Sequence, residues 1–182
     1  MILETDRLFL LSPDSVDAGD VAEYVRRNRD FMREFEPERE SAYYTAEFHR
    51  EMLERQAQEW KEQKGYRFYI APKDDRHLIM GFVGLSNVVM GAFCSCFIGC
   101  QLDKDHLRQG FMTEAVNEVV RYAFGSLGLH RIEGNIMPRN KASIGVALKC
   151  GFVNEGLSKK YLKINGVWED HLHFVRLNEE ME

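Results

Sequence analysis

A strand, a glycine-centred basic loop, a long amphipathic helix and a second strand follow one another between residues 96 and 137, and few folds accommodate that order. The loop reads Arg108-Gln109-Gly110-Phe111-Met112-Thr113. Apolar residues then recur at Met112, Val116, Val119, Ala123 and Leu127, the spacing of a helix with one buried face. Two strands joined through a helix form a crossover, so they are expected to be parallel neighbours. The first helical turn carries N–H groups without intrahelical partners and the positive end of the helix dipole. Gly110 admits a close ligand and Arg108 adds a positive charge, which together make a seat for a phosphate or diphosphate.

The rest of the chain places this unit in an α+β fold. Residues 7–11 read as a strand, 16–27 and 30–34 as helices, and Thr45 as the cap of a polar helix to about residue 63. Strands are expected at 66–71, 77–89 and 93–102, then the glycine-opened helix to about 126. A strand at 131–137, a helix at 141–149 and a strand at 152–164 follow. Asn165-Gly166 is a hairpin signal into a last strand at 167–176. No linker or repeat divides the 182 residues, so residues 1–182 are read as a single domain.

Charge and cysteine usage exclude several classes. A net charge of −5 argues against a broad basic face for nucleic acid. There is no apolar run of membrane-spanning length and no basic-then-apolar leader after Met1, so the expected compartment is the cytoplasm, with no membrane partner. Cys94, Cys96 and Cys100 lie an even number of residues apart and are expected on one face of a strand. Neither these three nor Cys150 has metal-site spacing, so no metal is expected. Small apolar thiols packing a sheet are the simpler reading.

Downstream of the helix come Asn140-Lys141-Ala142-Ser143 and then Gly151-Phe152. Asn140 stands where a helix begins, which makes it an N-cap as well as a candidate ligand. Gly151 reads as the helix C-cap. Phosphate loop, strand, N-x-x-S and G-F in this order resemble the GNAT superfamily of N-acetyltransferases, and within it the RimJ/RimL group that acetylates ribosomal-protein N-termini. The likeness spans nearly the whole chain. It includes Leu3-Glu4-Thr5-Asp6-Arg7-Leu8, Phe35-Glu36-Pro37, Gly84-Leu85-Ser86-Asn87 and Ile98-Gly99-Cys100-Gln101-Leu102. The closing Tyr161-Leu162-Lys163-Ile164-Asn165-Gly166-Val167-Trp168-Glu169-Asp170-His171 looks closest to the RimJ branch.

The resemblance implies a mixed, mostly antiparallel central sheet with a splayed parallel pair of strands and helices on both faces. It implies acetyl-CoA as cofactor, its arm held by Gln101, Leu102 and Asp103. The diphosphate would rest on main-chain N–H groups of Arg108, Gln109, Gly110, Phe111, Met112 and Thr113. Asn140 would contact the arm and Ser143 would assist the leaving sulfur, with the N–H of Gln101 polarising the thioester carbonyl. Phe35 would lie near the acceptor; Glu36 is a candidate there from its place in the acidic run Glu34–Glu40, which as a functional reading lines the acceptor cleft and otherwise is a solvated turn.

This chain departs from the family pattern at three places. Leu107 and Met112 replace two markers of the phosphate loop. Ala147 stands where many members place a tyrosine acid. No glutamate occurs between Ser95 and Leu102, where lysine acetyltransferases carry one. The last departure is compatible with an α-amine acceptor. With a reference pKa of about 7.7–8.0, an α-amine costs only about 1–1.4 kcal/mol to neutralise at pH 7, against roughly 4.6 kcal/mol for a lysine. Candidate bases are Glu133, on the strand beside the cofactor strand, His171, a side chain suited to proton transfer near neutrality, and Glu36. Solvated or strand-pairing roles are open for all three. Phe31, Tyr43, Tyr44, Trp60 and Tyr66 could cage a substrate, though core packing is the commoner use of such residues.

The leading expectation is therefore an acetyl-CoA-dependent N-acetyltransferase, monomeric or homodimeric, acting by direct transfer on an α-amine such as the N-terminus of a ribosomal-type protein. A small-amine acceptor (an antibiotic, a polyamine or an amino acid) and a non-catalytic acyl-CoA-binding module are the alternatives. Dinucleotide binding is set aside because Gly110 is not part of a G-x-G-x-x-G run.

Overall fold

A computed structural model describes residues 1–33 and 39–181. Among these, eight strands form one sheet in the order β1-β2-β3-β4-β5-β6-β8-β7. The strands are β1 (Ile2–Glu4), β2 (Leu8–Leu11), β3 (Tyr66–Pro72), β4 (Gly81–Val89), β5 (Ser95–Leu102), β6 (Arg131–Ile136), β7 (Val153–Ile164) and β8 (Val167–Leu177). Among the described residues only the β5–β6 pair is parallel. Helices α1 (Ala18–Arg27) and α3 (Ala46–Lys61) pack on one face, with the short α2 (Arg29–Met32) following α1, and α4 (Phe111–Gly125) and α5 (Lys141–Lys149) pack on the other. The crossover between β5 and β6 is thus the expected one.

Alternation along the strands divides the core in two. Leu8, Leu10, Phe68, Ile70, Val83 and Cys96 point to the α4 side, where they meet Ala115, Val116, Val119 and Ala123. Leu11, Tyr69 and Ala71 point the other way, onto Val21, Tyr24, Val25 and Leu53. Helices α1 and α3 start on side-chain caps: the Asp17 carboxylate accepts from the Gly19 N–H at 2.7 Å, and the Thr45 hydroxyl accepts from the Phe48 N–H at 3.3 Å. Trp60, Tyr66, Phe68 and Tyr122 pack ring to ring, so Trp60 and Tyr66 belong to the core and not to a substrate cage. Asn165 and Gly166 both take positive φ (48° and 84°), as a tight hairpin requires.

Local expectations differ from the structure at three points. Residues 2–4 add a short edge strand that carries no strong alternation. The strand expected from residue 77 begins only at Gly81, because residues 73–80 turn and Ile79 and Met80 are buried as irregular chain. Cys94 is not on the strand: it sits in the preceding turn at φ 39° and its thiol donates to the Gly91 carbonyl, leaving Cys96 and Cys100 as the pair on the core face. Burial pushes both of those thiols up to about 12, so they stay protonated near neutrality.

The feature that shapes the molecule lies in the middle of the sheet. β5 stays registered on β4 to its last residue, Leu102 opposite Gly81, and β6 stays on β8 to Ile136 opposite Leu172. Between them β5 and β6 pair only at Ser95–Arg131, Cys96–Ile132 and Phe97–Glu133. Beyond Phe97 the two half-sheets no longer pair, which leaves a gap in the ladder between β5 and β6.

The wall of this gap depends on close backbone approach at Gly81, where an added Cβ would lie 2.1 Å from the Gln101 carbonyl oxygen. Replacing Gly81 by Ala should therefore displace the end of β5 and cost more than about 2 kcal/mol. Chemical denaturation of the two proteins measures this directly.

Candidate active site

Which main-chain groups face the gap follows from ladder phase. In an antiparallel pair, residues that exchange both hydrogen bonds alternate with residues that exchange none. Asp103 donates its N–H to the Met80 carbonyl at 2.7 Å, so the next bonded pair along the register is Phe82–Gln101, and Gly81–Leu102 is unbonded. The sequence reading gives the gap-facing N–H to Gln101. The ladder phase corrects this: the N–H of Gln101 turns to β4, and those of Cys100 and Leu102 turn to the gap. On the opposite wall, Arg131 donates to the Cys94 carbonyl at 3.1 Å, which by the same alternation turns the main chain of Asn135 toward β5.

Side chains sort by face. Ile98, Cys100 and Leu102 pack on the α4 side. Gln101 is on the α1 side, where its Oε1 accepts from the Tyr24 hydroxyl at 2.6 Å. Asp103 is fully buried at the end of β5. Its Oδ2 receives Arg27 Nε at 2.5 Å and its Oδ1 receives the Asp105 N–H at 3.0 Å. Burial opposes ionisation of Asp103, but the Asp105 N–H and the Arg27 and Asn28 side chains outweigh it and hold the carboxyl below its ordinary value. Its side chain thus fastens β5 to α1, leaving only its backbone near the mouth of the gap.

The loop from 103 to 110 closes that mouth and leads into α4. Arg108 and Gly110 both take left-handed backbone (φ 61° and 83°). Among the described residues, no main-chain N–H from Arg108 to Thr113 donates to a protein atom. The loop is held from outside by Arg7, whose Nη1 donates to the Gln109 carbonyl at 3.0 Å and whose guanidinium lies 4.4 Å from the Phe111 ring centre. Arg7 also pairs with Glu114 (Nε to Oε2, 2.7 Å), and the Thr5 hydroxyl donates to Glu114 Oε1 at 2.6 Å. Burial again opposes ionisation, but Thr5 and Arg7 hold the Glu114 carboxyl below its ordinary value. The Thr5–Arg7 segment was visible as an opening motif; its clamp on residues a hundred positions away was not.

Shortly after β6 a second helix, α5, begins at Lys141. Asn140 caps α5, its Oδ1 accepting from the Ser143 N–H at 3.1 Å, so the expected N-cap role is present. This fixes Ser143, half-buried, in the first turn. Ala147 is buried in the core.

The α1-side face of β6 and β8 carries a polar cluster. Glu133 Oε1 meets His173 Nδ1 at 2.8 Å and its Oε2 receives Arg131 at 3.1 Å. Burial would raise the Glu133 pKa, but these two partners lower it, so Glu133 stays ionised and is a weak base. His173 Nε2 lies 2.7 Å from the Ser158 hydroxyl. His171 is not in contact with Glu133. It is buried, donates from Nδ1 to the Glu169 carbonyl at 3.1 Å, and packs on Tyr161. His173 and Tyr161 were missed because strand register, not sequence spacing, brings them to Glu133. Phe35 and Glu36 lie outside the described residues. Nearby, a cavity of about 110 Å³ opens beside Gln101 and is lined by Asn28, Arg29, Arg33, Tyr43 and Tyr44. No described group of acidic, histidine or cysteine residues could hold a metal ion.

A GNAT acetyltransferase-domain profile matches residues 7–153. A probable N-acetyltransferase of Bacillus subtilis is 40% identical over 181 residues, covering 100% of this chain and 99% of that protein. The crystal structure of ribosomal-protein-S5-alanine acetyltransferase from Vibrio fischeri superposes with a TM-score of 0.92 at 33% identity, covering 100% and 99% of the two chains. RimJ of Mycobacterium smegmatis, solved with CoA-disulfide, superposes at 0.83 with 27% identity over 96% and 83%. The chain belongs to the GNAT acetyltransferases, enzymes whose acyl donor is acetyl-CoA. The structure fits that cofactor: a gap walled by unpaired main-chain groups suits an amide-bearing arm, and undonated N–H groups at its mouth suit a diphosphate.

Replacing Arg7 by Ala should free the phosphate loop. Its affinity for coenzyme A is expected to fall about fivefold, as for one lost hydrogen bond. Stability should drop by no more than about 1 kcal/mol, because Arg7 is half exposed. Titration calorimetry and thermal melting separate the two effects. Stability owed to Glu114 and Asp103, both depressed, should be present above their ordinary values of 4.5 and 3.8 and lost as pH falls through the lower folded values. The slope of stability with pH below about 4 should accordingly be shallower in the Asp103→Asn and Glu114→Gln variants.

Proposed function

We propose that this chain transfers acetyl from acetyl-CoA to an α-amine, the N-terminus of a ribosomal-type protein. The observation that carries the reading is the gap between β5 and β6, with undonated N–H groups from Arg108 to Thr113 at its open end. Bound acetyl-CoA supplies a thioester open to attack by a neutral amine, with a thiolate as leaving group. The N–H groups of Cys100 and Leu102 hold the cofactor's arm along β5 and polarise its carbonyl. The phosphate loop and the exposed Arg108 hold the diphosphate. Ser143, fixed by the Asn140 cap at the N-terminus of α5, stabilises the departing sulfur, and the helix end adds its dipole.

The α-amine follows from the weak base on offer. The ion-paired Glu133 is poorly suited to deprotonate a lysine, whereas an α-amine needs only about 1–1.4 kcal/mol at pH 7. The ribosomal acceptor rests on the named activity of the Vibrio fischeri relative, which spans the whole chain. All four cysteines are unpaired, which suits work in the reducing cytoplasm.

Ser143→Ala should lower kcat by about 10²-fold while leaving the dissociation constant for acetyl-CoA within about twofold. Stopped-assay thiol release with an alanine-initiated ribosomal-protein peptide, paired with calorimetry, tests both halves. Loss of cofactor affinity at unchanged kcat would contradict this role for Ser143. Failure to bind coenzyme A would overturn the function itself.

A further inference from the structure

Asn135 lies on the gap-edge strand β6, two residues beyond the last β5–β6 pair. Its neighbours Ile132 and Ile136 pack toward α4, so its side chain is on the opposite, α1-side face, together with that of Glu133. Its Nδ2 donates to the Tyr161 hydroxyl at 3.5 Å, while its Oδ1 is buried with no hydrogen-bond partner among the described residues. A buried acceptor left empty is costly, and proteins keep few of them. Glu133 beside it is ionised. His173 and Arg131 each take one of its oxygens, and a carboxylate has further lone pairs to offer. His173 is itself fixed by the Ser158 hydroxyl and by the Tyr161 ring, whose centre lies 4.9 Å away. Acceptor oxygens thus gather at the edge of the gap, on the sheet face away from the phosphate-loop helix. A primary ammonium, which carries only donors, is the complementary ligand.

We propose that Asn135 Oδ1 and the Glu133 carboxylate form the subsite that receives the acceptor's amino group, with His173 and Tyr161 as positioning residues. The inference rests on the acetyltransferase reading and adds to it the groups that recognise the amine. The subsite selects a primary amine, whose several N–H donors can meet both acceptor groups.

The decisive variant is Asn135→Leu, which removes the orphaned oxygen at similar volume. The probes are alaninamide and an alanine-initiated peptide. Expected are an acceptor KM raised about tenfold or more, unchanged coenzyme A affinity by calorimetry, and a melting temperature equal to or above wild type. Asn135→Asp, which keeps an acceptor oxygen, should recover most of the lost acceptor binding. His173→Gln should raise the acceptor KM less than His173→Ala, with cofactor KM unchanged in both. Wild-type acceptor KM in Asn135→Leu would overturn the subsite alone. Equal loss in the Leu and Asp variants would also overturn it, since a purely structural role is blind to the retained oxygen. Absence of thiol release by the wild-type chain from both amines would overturn the acetyltransferase function on which the subsite stands.

Discussion

Between Phe97 and Leu102 the central sheet gives up the hydrogen bonds that normally hold a sheet interior together. Interior strands present N–H and C=O groups on both edges, and leaving them unpaired is expensive. Here the expense falls on a few residues of β5 and β6, while alongside the gap β5 stays in register with β4 from Phe97 to Leu102 and β6 stays in register with β8 to Ile136. The molecule behaves as two well-made half-sheets hinged on three parallel pairs, with the opening stabilised by the two cores rather than by the ladder. An arm rich in amides, inserted into such an opening, replaces the missing strand-to-strand bonds.

Rigidity around the opening comes from charge placed far from it in sequence. The loop from 103 to 110 is fastened at its start by Asp103 to Arg27 and at its end by Arg7 to the Gln109 carbonyl. Arg27 reaches further, to the Ile79 carbonyl before β4. Both anchoring carboxylates are held ionised by their partners against the effect of burial. The early N–H groups of this loop are bonded within the protein, whereas those from Arg108 to Thr113 are undonated among the described residues, which is preorganisation for an anion: the ordering is complete before the ligand arrives.

The two faces of the sheet then divide the chemistry. The α4 side supplies the phosphate loop, the α5 terminus and a wall of Ile98, Cys100 and Leu102. The α1 side supplies Gln101, Glu133, Asn135 and the His173–Ser158 pair. In the proposed reaction, cofactor and acceptor therefore approach one opening from opposite sides without sharing side chains. The buried thiols of Cys96 and Cys100, pushed up to about 12, do not compete as nucleophiles.

The crossover, the glycine-opened loop, the Asn140 cap, the Asn165-Gly166 hairpin and the family were legible in the chain alone, because each is encoded by neighbours within a few residues: periodicity, a glycine's backbone freedom, a capping side chain. The chain also marked Thr5 and Arg7 as a motif without saying what they hold. Which N–H groups face the gap depends instead on the folded arrangement, because ladder phase is set by how β5 registers against β4, and a shift of one residue exchanges Gln101 for Leu102. The same holds for the cluster around Glu133: His173 rather than His171 reaches it because β8 registers against β6 with Asn135 opposite His173. Register is fixed by the packing of whole strands against helices, a property that no short stretch of chain carries.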